Sequence, residues 1–199
     1  MPKKLHYDSR QFSSGLTGDP YAWPAFSVGN KLRRLVWNVF WLLFYRSSPR
    51  PMHRWRAGCL RIFGAEVGPN CHFYPGSRIH SPWNLVCEDG VAAGDGVEIY
   101  NPAPLVLRSH VILSQSSYVC GATHDYNDPS FPLLAFEMEI GAYAWICSRA
   151  VVAPGIAVGE GAVLGLGSVA TKSLEPWTVY AGNPAIRIKS RERMNLSAR

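Results

Sequence analysis

Apolar residues recur at every sixth position over most of the chain after residue 66. Fifteen positions follow this spacing, with a two-residue slip after the first six and an insertion after the first nine, and thirteen are Leu, Ile, Val or Phe. They are Val67, Phe73, Ile79, Leu85, Val91, Val97, Leu105, Val111, Ser117, Ile140, Ile146, Val152, Val158, Leu164 and Ala170. A period of six fits neither a helix nor an alternating strand, and indicates a very short strand followed by a corner. Three such units close one triangular coil, so the pattern predicts an all-β solenoid, a parallel β-helix of about five coils.

A helical spacing precedes the repeat. Residues 28–46 place apolar side chains at helical intervals, and Trp37, Trp41 and Phe44 add a second apolar face. Residues 51–63 predict a short second helix, so the solenoid is expected to carry an N-terminal helical arm. A helix with two apolar faces either packs into a protein partner or lies in a membrane interface. The sequence leaves both interpretations open.

Charge divides the chain into three parts. Residues 1–61 carry 11 basic and 2 acidic residues, residues 62–180 carry 4 and 11, and residues 181–199 carry 5 and 1. We interpret these parts as a basic, aromatic-rich arm, an acidic solenoid domain and a basic tail. A nucleic-acid-binding domain would be basic throughout, so nucleic acid is not an expected partner. A basic, aromatic arm suits an anionic membrane face.

Signals for secretion or membrane insertion are not found in the sequence. The N-terminus has no apolar signal-peptide core, and no apolar run reaches the roughly 20 residues of a spanning helix. The five cysteines contain no CxxC motif, which favours reduced thiols over a disulfide framework. We therefore expect a cytoplasmic protein, with peripheral contact at the inner membrane face through residues 28–46 as a further expectation.

The repeat is interrupted at residues 123–139, and a loop that leaves a solenoid is the expected place for function. This loop contains His124 and Asp125 directly after Thr123, and Asp128 follows. Histidine suits the role of a general base near neutral pH, and a neighbouring carboxylate or carbonyl would fix its tautomer. His124 and Asp125 are therefore the catalytic candidates, and an ordinary surface histidine is the alternative.

Two stretches carry a more specific signal, GATHDYNDPSFPL and IGAYAWICSRAVVAPGIAVGEGAVLGLGSVATKSLEPWTVYAGNPAIRI. Over roughly residues 60–190 the chain resembles the hexapeptide-repeat sugar O-acetyltransferases, in particular those of exopolysaccharide biosynthesis of the colanic-acid kind. The resemblance implies a left-handed parallel β-helix, a homotrimer, acetyl-CoA as acyl donor and a saccharide acceptor. It also implies that His124 is the general base that takes the proton of a sugar hydroxyl.

Further site residues follow only from this resemblance, which implies that acetyl-CoA lies in a groove along the prism between neighbouring subunits. The cofactor-binding residues carried over are Trp145, Ser148 and Leu166 along the pantetheine, Thr171 and Lys172 of the VATK segment at the phosphates, and Arg187 after AGNPA near the nucleotide. An ammonium and a guanidinium are chemically suited to phosphates. Asn101 and Asp128 are the predicted acceptor-binding residues.

The N-terminal part departs from the family, whose small members usually begin with a compact helical segment that helps to form the acceptor site. The basic, Trp-rich arm of about 60 residues suits a lipid-linked saccharide better than a free sugar. N-acetylation of an amino sugar or nucleotide sugar remains an alternative on the same scaffold. A zinc hydratase of the β-helix type needs three histidines, but His124 has no other histidine within ten residues, so no metal is expected. A non-enzymatic β-helix scaffold is disfavoured by the loop histidine and the VATK and AGNP motifs.

Overall fold

The computed structural model describes the backbone of residues 4–5 and the whole of residues 27–129 and 131–193. Residues 4–5 form a short strand, β1 (Lys4–Leu5), and from residue 66 onward the chain winds into a three-sided parallel β-solenoid. Most of its strands are two or three residues long and are followed by a corner. The predicted unit of a short strand and a corner is therefore confirmed.

Three parallel sheets form the faces of the solenoid. The first face contains β2 (Glu66–Val67), β5 (Leu85–Cys87), β8 (Leu105–Leu107) and β13 (Met138–Ile140), continued by single bridges at Val158 and Leu174. The second face contains β3 (His72–Phe73), β6 (Ala92–Ala93), β9 (Ile112–Leu113), β14 (Trp145–Ile146), β16 (Val163–Leu164) and β18 (Thr178–Gly182). The third face contains β4 (Arg78–Ile79), β7 (Glu98–Tyr100), β10 (Tyr118–Cys120), β15 (Val151–Val152) and β17 (Val169–Ala170).

The solenoid has about six coils, one more than the five that we predicted. The first and second faces each have six levels, whereas the third face has five. The additional coil begins at Leu174, which pairs with Val158 one level below. It escaped the sequence pattern because Leu174 follows Ala170 after four residues instead of six.

The register of the second and third coils also differs from the prediction. Pairing places Cys87, and not the predicted Leu85, beside Val67, although both residues belong to β5. The extra residues form a 3-10 turn at Pro82–Asn84, which is a slip that the six-residue pattern did not indicate. The pattern hid this slip because the corner residue two positions before a strand residue is also apolar and buried, as at Val91.

All insertions leave the solenoid at the corner between the third and first faces. They comprise residues 80–84 in the first coil, residues 101–104 in the second and residues 121–137 in the third. At the two other corners the chain keeps its tight turn, and a small buried residue fits beneath each, such as Ala144 at one corner and Ala150 at the other. The loop that holds His124 is therefore the longest of three insertions at one corner.

Two helices close the N-terminal end of the solenoid. Helix α1 (Val28–Phe40) begins at Ser27, whose side chain accepts a hydrogen bond from the Asn30 N–H, and it runs into a π-helical turn, Trp41–Tyr45. Helix α2 (His53–Ile62) follows. Both predicted helices are therefore confirmed.

One face of α1 and its π-helical turn packs against the first coil. Trp37, Trp41 and Tyr45 are buried there, whereas Phe44, which we expected on the same face, is exposed. The π-helical turn changes the spacing of side chains, so that Tyr45 takes the inward position. The predicted aromatic face therefore packs against the solenoid of its own chain.

The first coil has no coil below it, and side chains from the helices bind its edge carbonyls. On the third face the indole N–H of Trp37 donates to the Ile79 carbonyl at 2.6 Å, and that of Trp41 donates to the Ser77 carbonyl at 3.0 Å. These oxygens lie on the side of β4 opposite to its pairing with β7. The indoles thus satisfy groups that would otherwise be buried without a partner.

The two other faces are closed by arginines. On the second face Arg56 donates to the Phe73 carbonyl at 2.6 Å, and on the first face Arg61 donates to the Val67 carbonyl at 2.7 Å. An open strand edge is a template for unwanted pairing with another chain. The helices therefore cap the N-terminal edge of all three sheets.

A hairpin closes the opposite end. Strand β18 pairs in parallel with β16 and antiparallel with β19 (Ala185–Ser190). The basic tail that we predicted for residues 181–199 therefore starts inside this hairpin, and its residues 194–199 lie outside the described part of the chain.

Candidate active site

The predicted loop leaves its corner as a β-hairpin. Strand β11 (Ala122–His124) pairs antiparallel with β12 (Leu133–Phe136), and β1 adds to the other edge of β12. His124 is the last residue of β11 and pairs with Leu133. The ladder thus fixes the backbone of His124, while its side chain is exposed.

The His124 ring is held by the far side of the hairpin tip. Its Nδ1 lies 2.7 Å from the Phe131 carbonyl oxygen, and the two rings stack with centroids 5.3 Å apart. A carbonyl oxygen only accepts, so Nδ1 carries the hydrogen of the neutral ring and Nε2 carries the lone pair. This is the tautomer that a histidine needs to take a proton through Nε2.

Asp125 and Asp128 support the hairpin tip. The Asp125 carboxylate accepts a hydrogen bond from the Asn127 N–H at 3.0 Å, and the Asp128 carbonyl accepts one from the Phe131 N–H at 2.9 Å. The partner of the His124 ring is thus the Phe131 carbonyl rather than the side chain of Asp125. Sequence reasoning missed Phe131 because it contributes a backbone atom. The roles of Asp125 in catalysis and Asp128 in acceptor binding stay predictions.

Asn101 lies at the same corner, one coil below the loop. Its side chain is 2% exposed, and both ends of its carboxamide bind the backbone of Ser81, with Nδ2 donating to the Ser81 carbonyl at 2.9 Å and Oδ1 accepting from its N–H at 3.0 Å. These contacts fix the two shorter insertions to each other. The predicted contact of Asn101 with an acceptor stays a prediction.

The outer side of the third face is polar below the loop. His80 and Glu98 are joined by a hydrogen bond of 2.7 Å, and the ring of Tyr100 packs edge-on against His80. Burial lowers the pKa of His80 below its usual value of 6.5, although Glu98 acts in the opposite direction. Burial also raises the pKa of Tyr118, on the next strand up. The surface beneath His124 thus presents aromatic and hydrogen-bonding groups of the kind that sugars contact.

Ser148 and Leu166 lie at a different corner, between the second and third faces. They are one coil apart, and the Gly167 N–H donates to the Ser148 carbonyl at 3.0 Å. One coil lower, Gln115 accepts a hydrogen bond from the Ser148 hydroxyl at 3.1 Å. The structure therefore places Ser148 and Leu166 in one column. Sequence reasoning missed Gln115, because the loop insertion separates it from Ser148 in the sequence.

Trp145 and Gly167 lie beside this column and border open space. The Trp145 indole lies on the outer side of the second face, where its N–H donates to the Ser114 hydroxyl at 2.8 Å. Leu166 is 75% exposed, and a Cβ added to Gly167, whose φ is +65°, would meet no atom within 4 Å. The corner thus offers open space beside exposed apolar side chains and backbone groups, which suits an extended chain such as pantetheine.

The three predicted phosphate-binding residues lie in the upper coils. Thr171 and Lys172 follow β17 and are exposed at the corner between the third and first faces, which is the corner of His124 and not that of Ser148 and Leu166. Arg187 is on β19 opposite Tyr180, and its guanidinium lies 3.7 Å from the Glu175 carboxylate. Lys172 and Arg187 therefore belong to the same end of the solenoid but to different elements.

The third face separates the base from the column. His124 belongs to the corner after this face, whereas Ser148 and Leu166 belong to the corner before it. Within one chain, the predicted base and the predicted pantetheine column thus lie on opposite edges of one face.

Residues 27–129 and 131–193 contain no group of three His, Cys, Asp or Glu side chains placed to hold a metal ion.

Comparison with known proteins identifies relatives over most of the chain, although no protein-family model matches it. The chain is 36% identical over 166 residues to the colanic acid biosynthesis acetyltransferase WcaF of Escherichia coli K12, which covers 83% of this chain and 91% of the relative. It is 29% identical over 158 residues to the galactoside O-acetyltransferase of Escherichia coli K12, which covers 76% of each chain.

A solved structure gives the same result for the fold. The hexapeptide-repeat acetyltransferase of Vibrio cholerae in complex with acetyl coenzyme A matches with a TM-score of 0.76 at 18% identity, over 86% of this chain and 93% of that chain. The expected left-handed parallel β-helix is thereby confirmed. The named relatives likewise confirm the prediction that this protein is an acetyltransferase. The chain belongs to the hexapeptide-repeat acetyltransferases, the family that includes the colanic acid biosynthesis acetyltransferase WcaF.

Proposed function

We propose that this protein transfers an acetyl group from acetyl-CoA to a hydroxyl group of a saccharide, with His124 as the general base. The acceptor is an exopolysaccharide precursor, either free or linked to a lipid. The observation that carries this proposal is the hydrogen bond of 2.7 Å between His124 Nδ1 and the Phe131 carbonyl. It orients the ring and leaves Nε2 to take a proton from the acceptor.

In this mechanism, Nε2 of His124 takes the proton of the acceptor hydroxyl as its oxygen forms a bond to the acyl carbon. The imidazolium that results donates from Nδ1 to the Phe131 carbonyl, which stabilises the charged ring. Acetyl-CoA supplies the acyl group as a thioester, and the bond from carbon to sulfur breaks. His124 then returns the proton to the departing sulfur, so the ring ends the cycle neutral.

The upper coils supply groups that fit acetyl-CoA. The open corner at Gly167, with Leu166 exposed beside it, accommodates an extended apolar chain, and Lys172 supplies a cation for phosphate. The relative from Vibrio cholerae was solved with acetyl coenzyme A, which supports the same donor for this chain. Arg187 is a second candidate for the nucleotide, although Glu175 competes for its charge.

The separation of base and column favours a site that is shared between copies. Because His124 and Leu166 lie on opposite edges of the third face, two copies packed side by side bring His124 of one close to the column of the next. A closed ring of copies repeats this contact at every interface. A homotrimer with three such sites therefore agrees with the placement of these residues.

The test is release of thiol from acetyl-CoA in the presence of sugars, nucleotide sugars and amino sugars. We expect release that depends on a sugar hydroxyl, and a loss of about 10²–10⁴-fold in kcat for His124→Ala. His72→Ala serves as the matched control, because His72 is also exposed but lies on the second face of the first coil. Wild-type activity of His124→Ala would refute the role of the base. Release only with amines would replace O-acetylation by N-acetylation.

A further inference from the structure

An apolar ridge is exposed on the outer side of α1 and its π-helical turn. Its residues are between 49% and 82% exposed, and they are Val28, Leu32, Leu35, Val36, Val39, Leu42, Leu43 and Phe44. Contiguous apolar surface of this extent on a folded protein marks a site of interaction with another molecule or a membrane. The apolar ridge is therefore a surface whose function the acetyl-transfer chemistry does not explain.

The ridge faces away from the solenoid. Val28, Leu32, Leu35 and Val39 follow helical spacing on the side of α1 opposite to Trp37, whose indole binds the edge of the first coil. The ridge thus lies at the N-terminal end of the solenoid and not on one of its three faces. Copies that pack side by side through these faces leave the ridges uncovered and place them at the same end of the assembly.

Helix α2 and the methionine that precedes it extend the ridge. Trp55 is 43% exposed and Met52 41% exposed, and the Trp55 indole N–H donates to the Phe44 carbonyl at 2.9 Å. This bond joins α2 to the π-helical turn at the edge of the ridge. Partly exposed tryptophans beside aliphatic surface are typical of segments that lie at the membrane–water boundary.

Positive charge surrounds the ridge. Residues 27–61 contain eight Lys and Arg residues and no Asp or Glu. One of them, Arg56, is buried. Others stack on aromatic rings of the first coil, such as Arg33 on Trp83 and Arg50 on Tyr74, while Lys31 and Arg54 are exposed. Two copies joined end to end through their ridges would bring two such basic surfaces together, which repulsion disfavours. An anionic surface complements them.

We propose that the apolar ridge docks on the surface of an anionic lipid bilayer, with the basic residues around it at the level of the headgroups. An amphipathic helix with cationic flanks binds such a surface by partial insertion of its apolar side. None of the helices in the described part of the chain is long and apolar enough to span a membrane. The proposed contact is peripheral, and several ridges at one end of an assembly strengthen it together.

The experiment is sedimentation with vesicles of phosphatidylcholine that contain about 30% phosphatidylglycerol. The full chain is compared with the ridge variant Leu35→Gln/Val39→Gln and with the control variant Ile186→Gln/Ile188→Gln, which changes two exposed aliphatic residues of β19 at the opposite end. We expect the wild type and the control to sediment with the vesicles and the ridge variant to bind at least about tenfold more weakly. Neutral vesicles and high salt should weaken wild-type binding several-fold.

Three results would overturn the proposal. The first is no sedimentation of the wild type, and the second is equal binding of the ridge and control variants. The third is a change in molar mass of the ridge variant in light scattering with unchanged vesicle binding, which would assign the ridge to contact between copies. Equal melting temperatures show that the variants are folded. Thiol release with a soluble acceptor should stay unchanged in the ridge variant, so failure of the docking proposal and failure of the proposed chemistry are distinguishable.

Discussion

Replacement of Trp37 by phenylalanine tests whether the edge carbonyls of the first coil need their partners. Trp37→Phe removes the N–H that binds the Ile79 carbonyl at 2.6 Å but keeps an aromatic ring against Phe63, whose centroid is 4.9 Å away. The Trp37 side chain is 0% exposed, so water does not replace the lost donor. An unsatisfied buried carbonyl costs about 1–3 kcal/mol, and the smaller ring adds about 1 kcal/mol for the cavity. We therefore expect the free energy of unfolding to fall by about 2–4 kcal/mol.

Trp55→Phe is the matched control for this substitution. Its indole also donates to a backbone carbonyl, that of Phe44 at 2.9 Å, but Trp55 is 43% exposed and water can take over the bond. We expect a loss below about 0.5 kcal/mol. Urea unfolding followed by far-UV circular dichroism measures both variants without relying on tryptophan fluorescence. Equal losses for the two variants would refute the conclusion that capping of the strand edge stabilises the solenoid.

Three further predictions concern the residues proposed to bind acetyl-CoA and the third face. Gly167→Val places a branched side chain at φ +65° in the open corner, so the KM for acetyl-CoA should rise about tenfold or more in steady-state assays, and the strained backbone should also lower the melting temperature by several degrees. Lys172→Gln should raise the KM for acetyl-CoA several-fold but leave that for acetyl-pantetheine unchanged, because only acetyl-CoA carries the nucleotide phosphates. Burial lowers the pKa of His80 below 6.5, so the unfolded chain binds the proton first as the pH falls. Stability should be full above about pH 6.5 and decline below it, and urea unfolding between pH 7 and 5.5 should show a weaker decline for His80→Gln.

The six-residue period was sufficient to predict the solenoid, because each strand residue and each small corner residue faces the same interior. That property also explains the error in register. Val91 is buried, yet Ala93, two positions later, is the strand residue that pairs with Phe73. A shift of two positions still finds apolar residues, so hydrophobicity alone does not fix which of the two belongs to the strand.

In the candidate site, the functional side chain could be predicted from the sequence, whereas the backbone group that binds it could not. His124 stood out as a histidine in the one long break of the repeat, and the structure places it at a fixed position at the end of β11. The Phe131 carbonyl that orients it could not be predicted, because a backbone oxygen has no residue-type signature. The aromatic residues of α1 were visible, but their partner was not, because the Ile79 and Ser77 carbonyls are likewise backbone groups.

All three insertions use a single corner, so the length of the loops can vary independently of the spacing at the other corners. Whatever the length of chain that leaves there, five residues in the first coil or seventeen in the third, the next strand returns to its level on the first face. The neighbouring corner, with Ser148 and Leu166, keeps its spacing throughout. Loops at the inserted corner can therefore be exchanged for others in evolution or in the laboratory without moving the column that contains Ser148 and Leu166. Under the proposed function, the choice of acceptor can then diverge while the use of the donor is preserved.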